Sequence, residues 1–183
     1  MDLAVIEPQP PNTLWPRYSA RPFPPYRFVP GRSPHPRHDS KIRPSGKPEP
    51  KPTLLPPDQW PQCDDYLYGI DLYNYAYWWE CHEVFEGLWH EAGRHSEQAN
   101  FFQALIQLAA ANLKVFMGSH RAARNLQRSG LLRLQRMPES YMGIAVAGLT
   151  EELRQGMVCS RERTPSIRLS MPNREIGGIR TSG

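Results

Sequence analysis

At 183 residues the chain has room for one ordinary domain. Its apolar content of 39% is below the globular average, and its 20 prolines are far above it. Lys and Arg against Asp and Glu number 9 and 5 in residues 1–62, 8 and 11 in 63–158, and 5 and 2 in 159–183, nets of +4, −3 and +3. The basic balance therefore belongs to the ends, and the mildly acidic middle argues against a domain built around nucleic acid.

Residues 1–62 hold 17 of the 20 prolines, with Trp15, Tyr18, Phe23, Tyr26, Phe28 and Trp60 set among them. Pro pushes each preceding residue toward extended geometry, so this segment is expected as an extended or disordered arm. The aromatics of Pro22–Gly31 are unusual for a spacer, and an arm lying along a folded domain is the second reading. His35 and His38 could bind metal, but two histidines in a Pro-rich segment arise easily by chance.

From Cys63 to Met137 there is no proline, and the pattern becomes helical. Asp64 and Asp65 suit a helix start, followed by Leu67, Ile70 and Asn74. A second helix is predicted over Ala76–Glu91, with Trp78, Cys81 (or His82), Phe85 and Trp89 on one stripe and Gly93 at its end. Ser96 caps a third helix running to Met117, closed by Gly118. Phe101, Leu105, Leu108, Asn112 and Phe116 form its buried face, and Ala109, Ala110 and Ala111 allow close approach. Lys114 near its end complements the helix dipole. A fourth helix is predicted over Arg121–Arg136, weakened at Gly130 and ended by Pro138. A fifth is predicted over Glu139–Gln155, on Ile144, Val146, Leu149 and Leu153. No strand pattern competes. The expectation is an all-α bundle of about five antiparallel helices over 63–157, with an aperiodic, disordered tail over 158–183.

The three cysteines form no CxxC pair, and Cys81 suits a small apolar position. The N-terminus lacks the basic start and apolar stretch of a secretory signal, and no apolar run approaches a membrane span, so a soluble, cytoplasmic protein is expected.

The stretch Tyr66–Asn74, then Trp79-Glu80-Cys81-His82-Glu83-Val84-Phe85-Glu86-Gly87-Leu88-Trp89, then Phe102-Gln103-Ala104-Leu105-Ile106-Gln107-Leu108-Ala109-Ala110-Ala111 resembles domain-of-unknown-function family 309, a small helical family of bacteria and archaea. Its hallmark is an Ala-His-Glu-x-x-Glu-x-x-Trp motif followed by Gly-Leu-Ile-Gln-x-Ala-Ala. Cys81 replaces the usual Ala and Ala104 the usual Gly, both small for small. The resemblance covers about Asp64–Leu134. It implies a helical fold and leaves the activity open, since the family has no agreed one.

On a helix His82 and Glu86 share a face, with Glu83 one position round and His90 a turn further on. Imidazole and carboxylate suit a divalent transition metal, with His82 and Glu86 as the candidate ligands. Gln103 and Gln107 on the next helix are poor ligands, and Trp78, Trp79 and Trp89 surround the cluster. The order His-Glu-x-x-Glu differs from the zinc-peptidase His-Glu-x-x-His, so that mechanism does not transfer. The plainer reading is a satisfied polar network: His82 bonded to Glu86, and Glu83 accepting from Gln103, Gln107 or a buried N–H.

Three functional classes follow. A protein-interaction or scaffold module, with a protein partner or homodimer, is the first. A small metal- or ligand-binding protein, even a metal-dependent hydrolase, built on His82, Glu83 and Glu86 is the second; catalysis is the less expected outcome. RNA binding through Arg121, Arg124, Arg128 and the basic tails is the third, set against a merely solvated helix face and the acidic domain.

Overall fold

The structure is a computed structural model that describes residues 7–36, 51–159 and 163–172. A 3-10 turn over Pro57–Gln62 leads into α1 (Asp64–Asn74), α2 (Trp78–Ala92), α3 (Glu97–Phe116) and α4 (His120–Leu134). A two-stranded hairpin, β1 (Ser140–Tyr141) and β2 (Ile144–Ala145), precedes α5 (Val146–Val158). The protein is mainly helical, as its hydrophobic spacing requires. Helix α3 is the centre of the bundle, packed against α2 on one side and α4 on the other.

Local chemistry sets the boundaries. Ser96 caps α3 by accepting from the Ala99 N–H at 2.9 Å. Gly93 and Gly118 end α2 and α3 at positive φ, +76° and +79°. Helix α1 starts at Asp64 with Cys63 as the flanking residue, so Asp64 and Asp65 occupy the first turn and favour its positive pole. At its other end Tyr77 N–H reaches Leu72 C=O at 2.9 Å and Ala76 N–H reaches Tyr73 C=O at 3.4 Å around a left-handed Ala76. That hydrogen-bond pair closes the helix and moves the start of α2 to Trp78, two residues past the predicted Ala76.

The predicted fifth helix over Glu139–Gln155 needs correction, as does the expectation of no strands. Met142 (φ +45°) and Gly143 (φ +78°) form a two-residue turn between β1 and β2, and α5 begins only at Val146. A Cβ on Gly143 would lie 2.4 Å from the Trp60 ring, so the arm's last aromatic packs directly on this turn. Val146, Leu149 and Leu153 do fit helical spacing, but Ile144 falls on the opposite side of that helix and is buried from a strand.

Gly130 has a packing reason. A Cβ there would meet Leu108 Cδ2 at 2.9 Å and the Ala104 carbonyl at 3.4 Å, so the glycine lets α4 cross α3 closely. The core stripe of α2 is Trp78, Cys81, Phe85 and Leu88; Trp89 is only half-buried. Cys81 takes the core position, and His82 is left on the shoulder of the stripe.

The two ends of the chain contribute to the same core. Phe28 and Val29 from the arm and Ile167 and Leu169 from the C-terminal segment are buried with the helical residues. Asp71 on α1, fully buried, accepts from the Tyr18 N–H and the Ser19 N–H at 2.9 Å each and pairs with Arg17 Nε at 2.9 Å. Asn74 grips Ile167 through both amide atoms, accepting its N–H at 2.8 Å and donating to its C=O at 2.7 Å. Asn112 accepts from the Thr164 N–H at 2.8 Å, and Leu169 bridges to Ile144 beside the hairpin. Residues 163–172, read from the sequence as part of a tail, thus lie along the bundle. Residues 1–6, 37–50, 160–162 and 173–183 of the expected arm and tail, His38 among them, lie outside the described residues. Among the described residues no helix is long and apolar enough to cross a membrane.

Candidate functional site

Helix α2 carries the polar motif on the side left over once its apolar stripe is buried. With Cys81 and Phe85 in the core, His82, Glu83 and Glu86 fall on the boundary between core and solvent, all three half-buried. One ligand atom from each lies within 4.8 Å of the other two. His82 Nδ1 stands 3.7 Å from Glu83 Oε1, with side chains 30% and 28% exposed. That separation is too long for a hydrogen bond, and Nδ1 is buried with no hydrogen-bond partner. The expected His82–Glu86 bond on this nitrogen is therefore absent; its nearby carboxylate is that of Glu83. On α3, Gln103 and Gln107 are half-buried four residues apart, and Gln107 Oε1 is likewise buried without a partner. His82 Nδ1 and Gln107 Oε1 therefore stand outside the fully paired network pictured from sequence.

Of the three tryptophans only Trp79 meets the cluster, its ring stacked near His82 at 6.0 Å between centroids and 26° between planes. Trp79 is in turn held edge-on by Phe28 (5.0 Å) and His35 (5.9 Å) of the arm. Trp78 turns into the core and donates to the Tyr73 C=O at 3.2 Å. Trp89 lies against the exposed His90, which is not part of the three-residue cluster. Pro52 crosses α2 at Gly87, where a Cβ would lie 2.8 Å from Pro52 Cγ. The arm thus flanks the motif on both sides.

Two neighbours bound the chemistry. Burial drives the Cys81 thiol well above its ordinary range, which makes it an inert core residue. Glu80, on the turn before, accepts the Phe28 N–H at 2.9 Å through Oε1, while Oε2 is buried without a partner. Desolvation outweighs that hydrogen bond and lifts its carboxyl to about 7. Sequence reasoning missed Glu80, Asp71 and Asn74 as organising residues. The only available signal was their polar character within otherwise apolar helical turns.

Elsewhere, a cavity of about 560 Å³ lies between Trp15, Tyr73, Trp78, Leu153, Arg163 and Ile167, away from the motif. Arg121, Arg124 and Arg128 are exposed along α4. Residues 66–126 match the model of a protein family described as Domain of unknown function (DUF309), which spans α1–α3 and the first half of α4. No curated protein matches the chain.

Proposed function

We propose that the helical domain, whose residues 66–126 match the DUF309 family model, binds a divalent transition-metal ion through His82, Glu83 and Glu86. The observation that carries this reading is the convergence of one nitrogen and two carboxylate ligands within 4.8 Å. Ligands bound at about 2.1 Å to one ion stand roughly 3–4 Å apart, so small rotamer changes close the set. One imidazole with two carboxylates suits zinc, manganese or ferrous iron, and three protein ligands leave positions for water or a small ligand. The unpartnered buried Nδ1 of His82 supports the same reading, because burying a polar atom unpaired costs about 1–3 kcal/mol unless something satisfies it.

The test is elemental analysis of the protein purified without chelator, beside His82→Ala and Glu86→Gln variants whose folding is confirmed by circular dichroism. Near-stoichiometric metal in the wild type, lost in both variants, is the expected result. Metal absent from the wild type, and no heat of binding when Zn²⁺ or Mn²⁺ is titrated in, would remove the reading.

A second reading, an interaction module, is favoured by the way the bundle grips extended chain. Asn74 and Asn112 hold backbone groups of residues 164–167 much as a groove holds a peptide. A chain ending at Cys159, titrated with a synthetic peptide of residues 163–172, would show saturable change in tryptophan fluorescence if the groove is competent in trans. A flat titration would confine it to an internal role.

A further inference from the structure

We infer that the exposed face of α4 is a binding surface for the phosphate backbone of a double-stranded nucleic acid, read without regard to sequence. No Asp or Glu occurs between Glu97 and Glu139, while Lys114, Arg121, Arg124, Arg128, Arg133 and Arg136 do. The net charge of −3 for residues 63–158 averages over faces that the fold keeps apart.

Within this stretch the arginines divide by role. Arg133 is half-buried and bonds Asn100 Oδ1 at 3.1 Å, so it serves the α3–α4 contact. The side chains of Arg121, Arg124 and Arg128 are exposed and make no hydrogen bond, ion pair or ring contact with any described residue. At about 100° per residue they fall within about 60° of one another on one side of the helix.

Their placement opposes helix stability. Arg121 lies in the first turn, where the dipole disfavours cations, and that turn has neither an acidic residue nor a side-chain cap. The Arg121/Arg124 and Arg124/Arg128 pairs repel at i,i+3 and i,i+4 spacing, each costing about 0.2–0.5 kcal/mol. A helix face tuned only for solubility would mix signs, and this one carries donors alone.

The same face distinguishes between anionic partners. Protein interfaces centre on buried aromatic and apolar anchors, but here the exposed His120, Arg121, Arg124, Asn125, Arg128 and Ser129 are accompanied by a single apolar side chain, Leu132. Single strands are held by stacking on aromatic rings, and the exposed positions of α4 include no Phe, Tyr or Trp, only the imidazole of His120 at its first residue. Phosphates of a regular duplex need only a row of donors on a rigid element. RNA and DNA duplexes share that chemistry.

The test uses the full chain with fluorescein-labelled 24-base-pair RNA and DNA duplexes, read by anisotropy from about 50 to 200 mM salt. The triple variant Arg121→Gln/Arg124→Gln/Arg128→Gln is compared with Lys41→Gln/Arg43→Gln/Lys47→Gln, which removes equal charge from the arm. Binding should weaken at least tenfold in the α4 variant, and its log–log salt slope should become shallower by about 2.7. The arm variant should keep the larger part of the affinity. Preference for one duplex names the natural partner, and equal affinity assigns the site to the shared backbone. Equal losses in both variants would reduce the effect to net charge and overturn the inference. So would no binding to either duplex at 50 mM salt, which would leave the face to an acidic protein.

Discussion

Replacing Glu80 by Gln should make the protein more stable at alkaline pH and leave it nearly unchanged in acid. The carboxyl is mostly buried against the arm, with Arg27 and Glu7 as its charged neighbours, and its pKa is lifted from an ordinary 4.5 to about 7. Arg27 itself is engaged with Glu7, the Tyr75 C=O and the Tyr77 ring, so it offsets the buried charge only in part. A raised folded-state pKa contributes stability that is complete below the unfolded value and is lost as pH rises through the folded one. Between 4.5 and about 7 the unfolded chain releases a proton that the fold retains, so rising pH favours unfolding. Each pKa unit is about 1.4 kcal/mol, which puts the full loss at about 3 kcal/mol above pH 8. Gln keeps the oxygen that accepts the Phe28 N–H and carries no charge at any pH. Urea unfolding of both proteins at several pH values between 4 and 9 isolates the effect, because all other titrating groups cancel in the difference. The variant's advantage should be near zero at pH 4 and grow to about 3 kcal/mol by pH 8. A difference that stays flat across this range would mean that Glu80 is ionised in the fold as readily as in water.

Asp71→Ala should destabilise by about 3–5 kcal/mol, because Arg17 and the Tyr18 and Ser19 N–H groups lose a common acceptor. Limited trypsin digestion followed by mass spectrometry should show faster cleavage at the Arg17–Tyr18 bond. Asn74→Ala leaves two buried backbone groups of Ile167 unpaired and should cost about 2–4 kcal/mol by thermal melting; a loss under 1 kcal/mol would mean that water replaces the clasp. Gly130→Ala should cost about 1 kcal/mol net: overpacking against Leu108 costs about 1–3, and better helix propensity returns about 1. A stabilised variant would show that α3 and α4 separate without strain.

The helices were legible because their signals are local. Ser96, Gly93 and Gly118 mark ends through chemistry confined to one turn, and the Phe101–Asn112 stripe repeats over three turns. The hairpin at Met142-Gly143 was hidden because its strands are two residues long and run straight into the helical stripe of Val146, Leu149 and Leu153. The motif marked side chains that do come together on α2, yet which of Cys81 and His82 enters the core depends on how α2 is rolled against α1 and α3. One residue of roll decides whether the histidine is sealed or reachable. Composition left the docking of the arm open, since Asp71 and Asn74 read as ordinary polar residues until their partners, more than 50 and 90 positions away, are known.

Trp15 donates to the Ile167 C=O across 152 positions, and the Leu169 N–H donates to Tyr18 across 151. The first described segment therefore completes its contacts only with the last. During synthesis the arm leaves the ribosome before its distant partners and must wait until the 152 positions that separate Trp15 from Ile167 have been made. Helices α1–α4, joined by short connections, can assemble in that interval, whereas closure of so long a loop falls late and slowly. Until then the buried faces of Tyr73 and Asn74 stand open, and a chain cut short before Thr164 would keep them open permanently.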